Sequence, residues 1–257
     1  MNIAVNGPKI YYEIPIFGGI KITQTTVSLL AVTVLLIVIA YIAGRNLSKR
    51  PSGLQVIAEK LVTMLYNLVE DTMGKHNLVF APYIGTLFLS SVFGTLIGMT
   101  QIFRSTTADL SVTLAWAIVT SLMVWYHTIK NFGFKAWLKG FTEPIVVMTP
   151  MNIVSEIAQP VSMAFRHFGN VAGGSVLTSL IYGALAAVSS LLFSWLPDAV
   201  EAVFPPIFQV GIPAFLSIYF DLFSGFVQAL VFSLLTMVYI AGACPPPAER
   251  PEKEKSK

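Results

Sequence analysis

The chain has 257 residues, of which only 11% are charged and 55% are hydrophobic, and its mean hydropathy is +0.73. Ordinary globular chains carry roughly 25% charged residues, so this composition excludes a soluble domain and predicts an integral membrane protein. The net charge of +3 is too small to favour nucleic-acid binding, and the single cysteine, Cys244, excludes an internal disulfide and a metal site built from a cysteine cluster.

Three uncharged runs have the length of a membrane-spanning helix, namely residues 22–44, 78–103 and 110–129. Each is long enough to cross a hydrocarbon core about 30 Å thick at about 1.5 Å per residue. Residues 1–21 precede the first run and are expected outside the cytoplasm. The short polar turn at 104–109 makes the second and third runs a tight helical hairpin.

Residues 52–73 lie between the first two spans and show the apolar periodicity of a helix. The pattern is typical of a helix lying in the membrane interface, and equally of an amphipathic helix packed on its own protein. The apolar stripe consists of Leu54, Ile57, Leu61, Leu65 and Leu68.

Lysine and arginine are unevenly distributed between alternate loops, with twelve on one side of the membrane and three on the other. Because basic residues favour the cytoplasmic side, we expect an N-terminus outside, a cytoplasmic C-terminus and five crossings. The twelve are Arg45, Lys49, Arg50, Lys60, Lys75, Lys130, Lys135, Lys139, Arg250, Lys253, Lys255 and Lys257, and the three are Lys9, Lys21 and Arg104.

The last two hydrophobic stretches, residues 144–197 and 207–243, are too long to stand upright in a bilayer. As a helix, the second would be about 55 Å long. We therefore expect a long, steeply tilted helical hairpin that turns at residues 197–206, outside the membrane. The predicted fold is an all-α membrane protein with about five crossing helices, a membrane domain at 22–244 and a cytoplasmic tail at 245–257.

Three ionisable residues, Glu156, Arg166 and Asp221, lie inside these long stretches. Such a side chain costs about 2.5 to 3.5 kcal/mol in a membrane segment, even on the more lenient scales. Arginine cannot escape this cost by losing its proton, so Arg166 must face protein or water. Two alternatives remain open, a structural salt bridge, for instance to Asp221, and an ion pathway.

Small and polar residues continue the face of Arg166 at helical spacing, and a similar stripe follows Asp221. We expect the two stripes to face a common site. The first consists of Gln159, Ser162, Asn170 and Gly173, and the second of Asp221, Gly225 and Gln228.

One segment is specific enough to indicate a family. From Gln159 to Asn170 the chain reads Q-P-V-S-M-A-F-R-H-F-G-N, which resembles the signature P-[VI]-S-L-x-L-R-L-F-G-N of subunit a of F-type ATP synthases. Three other segments agree with the family in order and spacing. They are T-A-D-L-S-V-T-L from Thr107, V-Q-A-L-V-F from Val227 and L-T-M-V-Y from Leu235.

The resemblance implies the ion-translocating stator subunit of the F0 sector of a rotary ATP synthase, in a bacterial inner membrane. The implied partners are a ring of c subunits, the peripheral-stalk b subunits and other synthase subunits, in contact with the lipid bilayer. Ions would board and leave a ring carboxylate through two half-channels. Arg166 matches the family's essential arginine. No cofactor and no metal are implied, and the ion is either a proton or sodium.

Other positions can be matched to the family residue by residue. Asn170 and Gln228 fall at polar positions close to the arginine, where Gln228 would help to orient it. Asp221 falls where many relatives carry a His or Glu of the outer half-channel. Ser175 stands where some relatives have a Glu or His, so this outer channel would depend on Asp221 and serine-bound water.

Three further residues have two interpretations each. Asp109 would line the outer entrance, or it would be a helix N-cap or an interfacial carboxylate. Glu156 would line the inner half-channel or pair with a lysine on that side. His167 replaces the usual Leu beside the arginine, and we favour a packing or interfacial role for it over proton transfer.

Two other function classes are less well supported. A self-contained secondary transporter is typically built from an inverted repeat or paired broken helices, and the sequence shows no such repeat. A purely structural scaffold would tolerate the loss of Arg166. The chain has no G-x-x-x-x-G-K-[ST] phosphate loop, so ATP chemistry is expected in partner subunits.

Overall fold

The computed structural model describes residues 9–15, 20–45, 47–49, 53–100, 102–143, 145–193 and 218–247. Within them, five helices are long and apolar enough to cross a membrane, which confirms the predicted fold class and number of spans. These candidate spans are Gln24–Gly44, Lys75–Met99, Leu110–Phe132, Val146–Leu191 and Leu222–Ala243.

A short β-hairpin precedes the first span, and the sequence patterns did not predict it. Strand β1 (Ile10–Ile14) pairs antiparallel with β2 (Ile20–Thr23), and helix α1 (Gln24–Gly44) follows directly. The Thr23 side chain caps α1 by accepting a hydrogen bond from the backbone N–H of Thr26. The hairpin is therefore joined to α1 without a loop.

Helix α2 (Leu54–Met73) is not one of the five candidate spans. Its C-terminal end is buried in the protein through Val69 and Met73, whereas Leu54 and Leu61 near its start are exposed. The helix therefore packs on its own protein at one end and presents an apolar surface at the other. Its place in the membrane interface stays a prediction.

Helices α3 (Ala81–Met99) and α4 (Leu110–Phe132) form the expected hairpin, with a 3-10 turn at Thr106–Ala108 between them. Another 3-10 turn, Lys75–Phe80, leads into α3. A short helix, α5 (Phe134–Gly140), follows α4. We call the side with the β-hairpin and residues 102–109 the Asp109 end, and the opposite side the Cys244 end.

The long hydrophobic stretch at 144–197 contains helix α6 (Thr149–Phe193), which is 45 residues long and includes Pro160. At about 1.5 Å per residue it extends about 68 Å, twice the thickness of a hydrocarbon core, so it must cross at a steep tilt. The predicted turn at 197–206 and the start of the second long stretch lie outside the described residues.

The second stretch does not begin as a regular α-helix where the structure describes it. Residues Ile218–Ser224 form a π-helical turn, and helix α7 (Gly225–Ala243) continues from it. Helix α7 packs against α2, α3, α4 and α6 and is buried around much of its circumference. It is the centre of the bundle, and its buried residues include Phe232, Met237 and Ile240.

Polar side chains bond to the carbonyls at the C-terminus of α7, which have no partners within the helix. The Asn131 amide donates to the carbonyl of Ala243 at 2.8 Å, and the Asn77 amide donates to that of Cys244 at 3.0 Å. A His76 ring nitrogen lies 2.9 Å from the same Cys244 oxygen. These bonds attach the Cys244 end of α7 to the elements around it.

The close approach of α7 to α3 depends on glycine at position 225. A Cβ there would lie 2.6 Å from Cγ2 of Thr95, whereas a Cβ at Gly242 on the same helix would meet no atom within 4 Å. We expect Gly225→Ala to lower the free energy of unfolding by about 1 to 3 kcal/mol. The measurement is reversible unfolding in mixed detergent micelles.

Gly242→Ala is the matched control and should unfold like the parent. Thr95→Ser removes the clashing methyl group and keeps the hydroxyl, so adding it to Gly225→Ala should recover most of the loss. Equal stability of the two alanine variants would contradict this account of the α3–α7 contact.

Candidate functional site

The candidate site lies where α6 and α7 run antiparallel. The Asn170 amide donates to the carbonyl of Ser224 at 3.1 Å, and the Ser224 hydroxyl donates to the Asn170 side-chain oxygen at 2.9 Å. One helical turn towards the Cys244 end, the His167 ring packs on Phe232 with 5.3 Å between ring centroids. These contacts set the register of the two helices, and with it the position of Arg166 along α7.

Arg166 is exposed and lines a cleft between α6 and α7 with a volume of about 350 Å³. Among the side chains that the structure describes, no carboxylate lies within ion-pair distance of its guanidinium. The cleft extends from Arg166 towards the Cys244 end. It is lined by Ser155, Ala158, Gln159, Ser162, Met163, Arg166, Leu235 and Tyr239.

The face of α6 around Arg166 is exposed and made of small or polar residues. Ser162, Gly169 and Gly173 share it, at spacings of four, three and seven residues from the arginine. A Cβ at either glycine would meet nothing within 4 Å. This face is therefore open to close approach by another helix.

Two of the predicted stripe residues, Asn170 of α6 and Gln228 of α7, are less exposed than that face. Asn170 is half-buried, and its side chain bonds to Ser224 of the π turn. Gln228 is 9% exposed, and its amide nitrogen has no partner among the described residues. Within the same residues no hydrogen bond joins Gln228 to Arg166, so its orienting role stays a prediction.

Asp221 lies in the π-helical turn, but its side chain is outside the described residues. The salt bridge to Arg166 is therefore not tested by contact geometry. The backbone register still gives a distance, since Ser224 lies beside Asn170. Asp221 is three residues from this pair towards the Asp109 end, and Arg166 is four residues from it towards the Cys244 end. The two residues are therefore separated by roughly 10 Å along the helix axes.

Asp109 is the N-cap of α4, which is one of the two interpretations that the sequence left open. Its carboxylate accepts from the backbone N–H of Ser111 at 3.0 Å and from the hydroxyl of Thr25 in α1 at 2.5 Å. A role in lining an entrance stays a prediction.

Glu156 and Ser175 both have hydrogen-bond partners that the sequence did not predict. Glu156 accepts from the indole N–H of Trp125 on α4. The expected lysine partner of Glu156 does not occur among the described residues. Ser175 is exposed, and its hydroxyl donates to the Ala172 carbonyl of its own helix at 2.7 Å.

His167 is fully buried beside the exposed Arg166. One ring nitrogen lies 2.8 Å from the Ser91 hydroxyl of α3, and the ring packs between Trp116 and Phe232. This burial is what the favoured packing role requires, and the absence of proton transfer stays a prediction. The hydrogen bond to Ser91 was not predicted. The sequence signal available was the helical spacing of His167 from Ala164 and Val171, which indicates that the histidine shares their apolar, buried face.

The paired bonds between Asn170 and Ser224 give a direct test of the helix register. In membrane proteins, side-chain hydrogen bonds couple by about 0.6 kcal/mol on average and at most about 1.7 kcal/mol. A double-mutant cycle of Asn170→Ala and Ser224→Ala, measured by unfolding in mixed micelles, should give a coupling energy in this range.

Ser179→Ala is the control, because the exposed Ser179 hydroxyl bonds within its own helix. It should show no coupling to Ser224→Ala. Additive effects of the Asn170 and Ser224 substitutions would show that the register is held by other contacts.

Comparison with known proteins identifies the family of the chain. The ATP synthase A chain family matches residues 25–241. The chain is 30% identical to the protein named ATP synthase subunit a, sodium ion specific, of Propionigenium modestum, over 93% of this chain and 86% of that one.

Two further relatives are similarly close. This chain is 34% identical to ATP synthase subunit a of Trichlorobacter lovleyi, over 82% of this chain and 83% of the relative. It is 29% identical to ATP synthase subunit a of Anoxybacillus flavithermus, over 90% of this chain and 97% of the relative. The chain therefore belongs to the ATP synthase A chain family, the ion-translocating subunits of the F0 sector.

Proposed function

We propose that this chain is the stator that couples ion flow to rotation in its ATP synthase, and that Arg166 separates two half-channels. The observation that carries the proposal is the position of the guanidinium. It lies on the exposed face of a membrane-spanning helix, in a cleft, with no ion-pair partner among the described side chains. A permanent charge in that position requires water or a partner beyond the described side chains.

The partner that fits this face is a ring of c subunits. A guanidinium facing lipid would cost about 2.5 to 3.5 kcal/mol or more, whereas a carboxylate on a neighbouring helix would compensate its charge. The open glycines at 169 and 173 allow such a helix to approach closely, because small residues let helix backbones come together in membranes. The ring therefore moves past Arg166 with one carboxylate opposite it at a time.

The chemistry follows from a fixed positive charge. A guanidinium within about 4 to 6 Å of a carboxylate favours its ionised form, so a ring site arriving at Arg166 releases its ion. The same charge repels a free cation that would otherwise pass between the half-channels. Ions then cross the membrane only while they are bound to the rotating ring. Lysine is a poor replacement, because its ammonium has a different shape and can lose its proton when buried.

The two half-channels would lie on opposite sides of Arg166. Towards the Cys244 end, the cleft offers the hydroxyls of Ser155, Ser162 and Tyr239, with Glu156 next to Ser155 on the same helix. Towards the Asp109 end, Asp221 and Ser175 would provide polar groups for the other route.

The remaining assignments concern the assembly. The distribution of basic residues supports a cytoplasmic Cys244 end in a bacterial plasma membrane, with the Asp109 end outside. The b subunits of the peripheral stalk are further proposed partners. Catalysis of ATP synthesis is assigned to other subunits, so this chain is a non-catalytic component.

Arg166→Ala tests the proposal in the complete ATP synthase reconstituted into liposomes. Without the charge, ring sites have no reason to release their ion and the barrier between the half-channels is lost. We expect ion-driven ATP synthesis to fall to background, while ATP hydrolysis by the detached catalytic head is unchanged.

Arg45→Ala is the matched control, since Arg45 is an exposed arginine at the end of α1. It should keep parental synthesis rates. Normal synthesis by the Arg166→Ala enzyme would reject both the gating role and the stator mechanism, and would favour a structural scaffold.

Asp221→Asn tests the outer route. The substitution keeps the size of the side chain and removes its charge, so it should slow ion-driven synthesis several-fold if Asp221 attracts or relays ions. Synthesis rates are measured across a range of pH, with Asp71→Asn on α2 as the control. Rates identical to the parent at every pH would remove Asp221 from the pathway.

A further inference from the structure

The two sides of α6 differ sharply around Arg166. On one side, Ser162, Arg166, Gly169 and Gly173 are exposed. On the other, residues at the same helical spacing are buried in the bundle, namely Met163, Ala164, His167, Val171 and Gly174. Consecutive residues are about 100° apart around a helix, so the rotation of α6 about its axis decides whether Arg166 points outwards.

Apolar packing alone specifies this rotation weakly. In a membrane the lipid is as apolar as the core, so no hydrophobic driving force orients one helix on another, and packing and hydrogen bonds do so instead. Near Arg166, α6 has two inward polar side chains with partners on other elements, Asn170 and His167. His167 is the adjacent residue in the chain.

His167 contacts three other helices from a fully buried position. Its Nε2 lies 2.8 Å from the Ser91 hydroxyl of α3, and its ring packs on Trp116 of α4 and Phe232 of α7. Nδ1 has no hydrogen-bond partner among the described residues. Among them, the contact with Ser91 is therefore the one directional bond of the ring.

These contacts make rotation of α6 costly. Turning the helix enough to bring Arg166 inwards would move His167 towards the exterior and separate it from Ser91. The buried Ser91 hydroxyl would then lose this side-chain partner in an apolar interior. A leucine at position 167 fills similar space but carries no directional bond, so it would allow several rotations of similar energy.

We propose that His167 is a positioning residue for Arg166, which acts by locking the rotation of α6 through its bond to Ser91. The proposal rests on the gating role of Arg166 for its consequence in coupling. The rotation itself is a separate observable. His167 does not carry ions in this account, since its ring lies against Ser91, Trp116 and Phe232.

The experiment uses the complete ATP synthase with Cys244 replaced by alanine and single cysteines introduced at Phe165 or Val171. Phe165 is 51% exposed on α6 beside the Arg166 face, and Val171 is 6% exposed on the buried face. The labelling rates of the two cysteines by a small thiol reagent report the rotation of α6. Ion-driven ATP synthesis is measured on the same proteins.

We expect His167→Leu to reduce the ratio of labelling at 165 to labelling at 171 at least fivefold and to lower coupled synthesis about tenfold. Ser91→Ala should shift both in the same direction. His167→Gln should retain the parental labelling ratio and at least half of the synthesis, because its amide can still bond to Ser91. His127→Gln, on α4, is the control for loss of an imidazole elsewhere.

The double variant Ser91→Ala/His167→Leu separates positioning from stability. It leaves no unpaired polar group, so its unfolding should resemble the parent, while its labelling ratio and coupling stay defective. If the double variant recovered the labelling ratio and coupled synthesis together with its stability, the proposal would be overturned. An unchanged labelling ratio in His167→Leu would also overturn it. Loss of synthesis in His167→Gln with a parental labelling ratio would overturn it as well and would indicate proton transfer by the ring.

Failure of the proposed function is distinguishable. If Arg166→Ala retained coupled synthesis, the gating role would be rejected, but the labelling ratios of the His167 variants would still show whether His167 fixes the rotation of α6.

Discussion

The cost of holding a permanent charge within an apolar helix determines how the rest of this protein is arranged. A guanidinium cannot be neutralised, so its environment must compensate it. No carboxylate among the described side chains pairs with Arg166, and the residue lies in a cleft on an open helical face. An exposed charge of this kind can be compensated by a group outside the chain, as the proposed stator mechanism requires.

The contacts of α6 with the rest of the bundle hold the exposed face of Arg166 in its orientation. Helix α7 lies in the middle of the bundle and packs against four other helices, and the glycine at 225 lets it approach α3 closely. Polar groups on the inner sides of the helices are paired across them, as Asn170 is with Ser224 and His167 with Ser91. Because such bonds are directional, they determine helix rotation in a way that aliphatic contacts do not.

The π-helical turn adds an irregularity where the proposed outer route begins. Such turns insert an extra residue into a helix and frequently occur at functional sites. Here it contains Asp221 and ends at Ser224, whose hydroxyl and carbonyl both bond to Asn170. The turn thus places a carboxylate-bearing segment against α6 about two helical turns from the level of Arg166. No periodicity in the sequence signalled it, since a single extra residue barely changes the apolar pattern.

The sequence by itself determined the number of candidate spans and the presence of an arginine in one of them, because these depend on composition and on lengths that a bilayer imposes. The tilt of the long hairpin stays a prediction. The signature around Arg166 also indicated the family. The partner of each polar side chain was decided only by tertiary structure. Asp109 pairs with Thr25 across 84 residues, Glu156 with Trp125 across 31 and His167 with Ser91 across 76. The N-terminal hairpin was likewise missed. Such contacts require the rotation and register of separate elements, which result from packing the whole bundle and leave no local pattern in the chain.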